Sequence, residues 1–85
     1  MLGLEIHSEI ATDKGRIDVA IVTPKYIYLF EIKFNKQPGE GMAQIRRKRY
    51  YEKYKGKDQL IILVEMLFTR TENDFTITYN VKDLE

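Results

Sequence analysis

The sequence predicts an α/β domain in which one helix separates three strands from two more, and three observations carry that expectation. Apolar and polar residues alternate with period two over 4–11 and 75–81. Apolar runs cover 16–34 and 59–68, and a helix-forming composition takes over from about 39 to 54. Eighty-five residues suit one small domain, and a hydrophobic content of 44% is that of an ordinary globular chain. The absence of cysteine excludes a disulfide framework and a thiolate metal site, so any metal must use oxygen or imidazole ligands.

In the first strand Leu4, Ile6, Ser8 and Ile10 alternate with Glu5, His7 and Glu9, as a half-polar strand requires. Asp13-Lys14-Gly15 is a turn into a second strand at about 16–23, Pro24 marks the next turn, and a third strand follows at about 26–34. Pro38 and Gly39 end the strand pattern before the helix, and Gly56 stands where a helix commonly closes in a left-handed conformation. The segment 59–68 and the alternation of Phe75, Ile77, Tyr79 and Val81 against Thr76, Thr78 and Asn80 supply two final strands. No apolar run approaches the roughly 20 residues that span a bilayer. With no signal-peptide pattern at the amino terminus, a cytoplasmic location is expected. So short a chain covers its core poorly, which makes a homodimer the expected assembly.

Strand register turns three charges into a cluster. A hairpin centred between Pro24 and Lys25 pairs residues whose numbers sum to 49, which sets Asp18 opposite Glu31, with Lys33 two positions along on the same face. Pro24 disfavours a primed two-residue turn, whereas a four-residue loop keeps this pairing. Both faces of the hairpin are otherwise apolar, as in a sheet covered on both sides. For the first hairpin, a sum of 27 puts Ile6 and Ile10 on the face of Ile17, Val19 and Ile21 and brings Glu9 opposite Asp18. The competing three-residue loop would turn Glu5, His7 and Glu9 onto the apolar face. Glu9, Asp18 and Glu31 on adjacent strands repel one another unless a cation sits among them. Mg²⁺ accepts such oxygen ligands and lowers the pKa of bound water, while Lys33 could hold a phosphate.

Gly15-Arg16-Ile17-Asp18, Phe30-Glu31-Ile32-Lys33 and Ala43-Gln44-Ile45 with Lys48 and Tyr51 together resemble the PD-(D/E)XK nuclease superfamily in motif order. The likeness covers about 9–54 and is nearest to a bacterial branch found as a carboxy-terminal domain behind an ATPase-like domain, so such a domain in a longer parent is an implied partner. The resemblance implies a restriction-endonuclease-like mixed sheet and metal-dependent hydrolysis of DNA phosphodiesters. Asp18 and Glu31 would be metal ligands for Mg²⁺, or Mn²⁺ in its place, Lys33 the catalytic lysine and Gln44 the family's helical glutamine. Such nucleases place a helix before the first core strand, whereas this sequence starts almost at the strand. Residues 1–85 are therefore expected to be a truncated or minimal version with few flanking helices, and Glu9 is the candidate for the acidic group that the missing helix would carry.

Each residue also has a plainer role. Asp18, Glu31 and Lys33 could be a structural ion network at a sheet end, and His7 reads as structural or exposed. Residues 46–57 hold seven of the fourteen Lys and Arg residues with three tyrosines and one Glu. That stripe is either a solvated helix face or a DNA contact made by Arg47, Lys48 and Tyr51, since Gln44, Lys48 and Tyr51 would share one side of a straight helix. The net charge of +1 does not decide between them. Two functions follow as expectations: a Mg²⁺-dependent nuclease, or a catalytically silent assembly or nucleic-acid-binding module that retains the nuclease fold.

Overall fold

In the computed structural model, which describes residues 3–12 and 15–84, the strands form one sheet whose spatial order follows the chain. These are β1 (Glu5–Thr12), β2 (Gly15–Val22), β3 (Tyr26–Phe34), β4 (Leu60–Arg70) and β5 (Phe75–Asp83). Neighbours are antiparallel except β3 and β4, which run parallel, so the sheet is mixed. A parallel pair needs a crossover, supplied here by α1 (Glu40–Lys48) and a 3-10 segment (Tyr50–Tyr54). This is the α/β, restriction-endonuclease-like arrangement with few helices that the sequence predicts.

Both hairpins adopt the registers that the apolar pattern favours. Ile6 pairs with Ile21 and Ile10 with Ile17, a sum of 27, and Ala20 pairs with Leu29 and Val22 with Ile27, a sum of 49. The Asp13-Lys14 turn lies outside the described residues. At the second turn the Thr23 N–H donates to the Tyr26 carbonyl at 2.8 Å, but the Tyr26 N–H goes to the Thr23 hydroxyl at 2.9 Å. Pro24, with its φ fixed negative, cannot form a primed turn, and the threonine hydroxyl closes the loop instead.

The expected sharing of faces fails in β1, and in β2, where Ile17 and Ala20, three residues apart, belong to one cluster. Ile10 packs against the cluster under the helix and Ile17 belongs to that cluster, whereas Ile6 is 65% exposed on the other side. Glu9 lies between them with φ 51°, and the β1–β2 register passes from Ser8 to Ile10 across it. A left-handed residue breaks the two-residue alternation, so one register serves two faces.

The helix expected over 39–54 also divides. Arg49 is left-handed at φ 55°, and its N–H caps the Ile45 carbonyl at 2.9 Å. At 100° per residue a straight helix would put Tyr54 about 180° from Ile45. The break lets both side chains face the sheet, where Ile45 and Tyr54 are buried with Met42 against Ile27, Leu29, Ile61 and Leu63. Gly56 is left-handed at φ 86°, as expected.

Among the described residues α1 and the 3-10 segment cover only one face of the sheet, not the two that the apolar hairpin implies. The opposite face presents Ile6, Phe34, Ile77, Tyr79 and Val81, all exposed. No helix among the described residues is long and apolar enough to cross a membrane.

Candidate active site at the Glu31 end of the sheet

Glu31 and Lys33 alternate onto the helix-covered side of β3, next to Leu29, and the crossover brings α1 over them. Gln44, one turn into α1, bridges the two: its Nε2 donates to Oε2 of Glu31 at 2.9 Å and its Oε1 accepts from Nζ of Lys33 at 2.7 Å. Lys33 Nζ also lies 3.3 Å from Oε2 of Glu31. Two of the expected site residues, Gln44 and Lys33, thus converge on one carboxylate oxygen of a third, Glu31. The other, Oε1 of Glu31, is buried and has no hydrogen-bond partner among the described residues.

Asp18 reaches the same place by a different geometry from simple opposition. The β2–β3 ladder ends at Val19 and Phe30, and Asp18 Oδ2 accepts the Ile32 N–H at 2.8 Å, the bond a further ladder residue would have taken. Its charge still acts on Glu31. Burial, and after it the Asp18 carboxylate, push the Glu31 carboxyl above its ordinary 4.5, against the opposing pull of Lys33.

A second buried carboxylate escaped the sequence reading. Glu65 lies beside Glu31 in the parallel β3–β4 register and is 3% exposed. It accepts the backbone N–H groups of Gly39 (3.0 Å), Gly41 (2.6 Å) and Met42 (3.3 Å). The signal was present in two places. An acid interrupts the apolar run 59–68, and α1 opens at Gly39 with no side-chain cap of its own, leaving donors that must find an acceptor elsewhere.

Gly41 permits this approach, because a Cβ there would sit 2.9 Å from Cγ of Glu65 and 3.3 Å from Cγ of Glu31. Gly41→Ala is therefore expected to destabilise the fold by about 1–3 kcal/mol through overpacking, despite alanine's better helix propensity. The check is the urea midpoint; a variant as stable as the parent would mean that α1 moves aside freely.

The remaining candidates take no part in these hydrogen bonds. Glu9 is exposed, and the described residues contain no group of three or more His, Cys, Asp or Glu side chains able to hold a metal together. Arg47 and Lys48 are exposed in the last turn of α1, where their charge also complements the helix dipole. Tyr51 sits beyond the Arg49 break, packs against the core and carries Lys55 Nζ 5.7 Å from its ring centroid, so it does not continue the Gln44–Lys48 side. His7 is exposed and 3.1 Å from Glu5. A cavity of about 440 Å³ opens at the other end of the sheet, among His7, Val22, Ile27, Tyr54 and Gln59, and none of Asp18, Glu31 and Glu65 lines it.

Comparison with known proteins shows the family. A family model described as the PD-(D/E)XK nuclease superfamily matches residues 1–77. An uncharacterized protein in the vnfD 5' region of Azotobacter chroococcum mcd 1 is 35% identical over 71 residues, which are 81% of this chain and 14% of that protein. The chain thus corresponds to about one seventh of that relative's length. No solved structure matches.

Proposed function

The chain belongs to the PD-(D/E)XK nuclease superfamily, and on that premise we propose that it is a Mg²⁺-dependent nuclease that hydrolyses DNA phosphodiester bonds beside Asp18 and Glu31. One observation carries the reading: a buried carboxylate oxygen, Oε1 of Glu31, has no partner among the described residues, and the Asp18 charge acts on the same carboxyl. A structural ion network would have no use for that oxygen, whereas a hard divalent cation takes one or two carboxylates and completes its shell with water. Asp18 and Glu31 are the residues that would hold Mg²⁺, or Mn²⁺ in its place. When bound, the ion supplies Lewis-acid polarisation of the phosphoryl group and a more acidic water.

The chain's own groups have separable tasks. Gln44 holds Oε2 of Glu31 and so fixes Oε1 in the direction left open. Lys33, steered by Gln44 and by Oε2 of Glu31, is the cation placed to stabilise charge developing on the phosphate. The experiment is incubation of the purified chain with single-stranded, double-stranded and branched DNA, with Mg²⁺ or Mn²⁺ and with chelator. Cleavage that needs the metal is expected; no cleavage of any substrate would favour the silent-module reading.

Arg47 and Lys48, the latter one turn from Gln44, are the proposed phosphate contacts outside the centre. Replacing both by Gln should lower the salt dependence of DNA binding by about two counterion equivalents. An unchanged slope would remove the stripe from the site.

Homodimerisation through the open sheet face is the proposed assembly. The chain exposes 5946 Å², against about 5,300 Å² expected for a monomer of its mass. Ile6, Phe34, Ile77, Tyr79 and Val81 leave large apolar side chains exposed on the open face, which a second copy would cover. Sedimentation should show a concentration-dependent dimer, and Tyr79→Lys should shift it to monomer; a parent that stays monomeric at micromolar concentration would contradict this.

A further inference from the structure

Glu65 spends its carboxylate on the start of a helix, yet it sits one strand from the residue with the open oxygen. In the parallel register Glu31 and Glu65 are neighbours, and both press on the same glycine: a Cβ at Gly41 would meet Glu65 Cγ at 2.9 Å and Glu31 Cγ at 3.3 Å. Two buried glutamates side by side are unfavourable unless each charge is satisfied separately. Oε2 of Glu31 faces Lys33 and Gln44, while both oxygens of Glu65 accept backbone N–H groups at the positive end of α1.

We propose that Glu65 is a positioning residue of the Asp18–Glu31 centre, acting through α1 on Gln44; the proposal rests on the nuclease reading of that centre. Gly41 and Gln44 are three residues apart, so they lie on the same side of α1 and face the sheet together. Fixing the N–H groups of Gly39, Gly41 and Met42 sets how far along the sheet α1 sits and how it is rotated. Those two quantities determine whether the Gln44 amide reaches Glu31 Oε2 and Lys33 Nζ at once. Glu65 thus selects which Glu31 oxygen is occupied by protein and which is left for a cation. A carboxylate is needed, because an amide at the same place would turn an NH₂ group toward a backbone N–H.

The test uses Glu65→Gln, which keeps shape and removes charge, with Glu65→Asp as the second variant should the first not fold. The first readout is the Gln44 side-chain amide by ¹⁵N–¹H NMR, which needs neither metal nor substrate. Its resonances should move toward those of a free amide in either variant. The second readout is Mn²⁺ affinity by calorimetry in a cycle with Gln44→Ala. Glu65→Gln alone should weaken Mn²⁺ about tenfold, in the range for groups that orient a ligand from behind. In the Gln44→Ala background it should weaken it no further, because the route through Gln44 is already lost.

A Gln44 amide that stays in place, or additive losses in the cycle, would overturn the positioning role while leaving the nuclease reading intact. A parent chain that binds no Mn²⁺ would overturn the nuclease reading, and the positioning role with it, whatever the amide does.

Discussion

Lys33→Ala is expected to remain folded, to retain Mn²⁺ and to lose roughly 10²–10³-fold in turnover, the scale for removal of one group that stabilises transition-state charge. The geometry separates these effects. Lys33 Nζ contacts Oε2 of Glu31 and Oε1 of Gln44, and has no contact with the oxygen left open. Its removal would therefore take away the cation proposed to meet phosphate while leaving Asp18 and Oε1 of Glu31, the proposed ligands, in place. It also removes the pull that opposes burial at Glu31, so the carboxyl should shift further upward and Mn²⁺ affinity should be measured at several pH values. Calorimetry and single-turnover cleavage on the same preparation distinguish the outcomes. Loss of Mn²⁺ binding together with turnover would make Lys33 part of the support of the carboxylates instead.

Asp18→Asn and Glu31→Gln should each weaken Mn²⁺ by at least about tenfold, the scale that applies even to groups one step further from a metal. Both should raise the melting temperature of the metal-free chain near neutral pH. The amide oxygen that Asp18→Asn introduces can still accept the Ile32 N–H, while the repulsion that helps raise the Glu31 carboxyl disappears. For Glu31 the sign of the pH dependence is fixed by the direction of its shift. Between its ordinary value of 4.5 and the higher value in the fold, the folded chain binds more protons than the unfolded one, so stability falls as pH rises through that window. Glu31→Gln removes this loss, and its advantage over the parent should be present above the window and absent below it. Mn²⁺ competes with the same proton, so its affinity for the parent should increase with pH over that interval. Equal melting temperatures at all pH values would mean that Asp18 and Glu31 do not strain the metal-free fold.

What could be read beforehand was whatever depends on alternation and pairing. Apolar positions in β2 and β3 leave few registers that keep charge off the buried face, and the pairing Ala20–Leu29 follows from that alone. The contact of Glu31, Lys33 and Gln44 was also legible, because the crossover from β3 into α1 is short and must return over the same strand end. Three features were not. Glu9 in a left-handed conformation, which moves Ile6 and Ile10 to opposite faces, has no local signature such as glycine. The break at Arg49 is imposed by the need of Tyr54 to reach the core, a tertiary demand invisible in a run of helix formers. Glu65 as a remote cap depends on which strand lies beneath α1, and strand order beyond the hairpins is set by the crossover as a whole.

The most direct measurement of metal-dependent chemistry at this strand end is anomalous diffraction from crystals of the parent chain soaked in Mn²⁺. A peak is expected between the Asp18 carboxylate and Oε1 of Glu31, with Lys33 and Gln44 still on Oε2, and it should vanish in Glu31→Gln. A soaked crystal without a peak there, in which Oε1 of Glu31 instead accepts a hydrogen bond from the protein, would show that the charges are a structural network and that the chain hydrolyses nothing at this site.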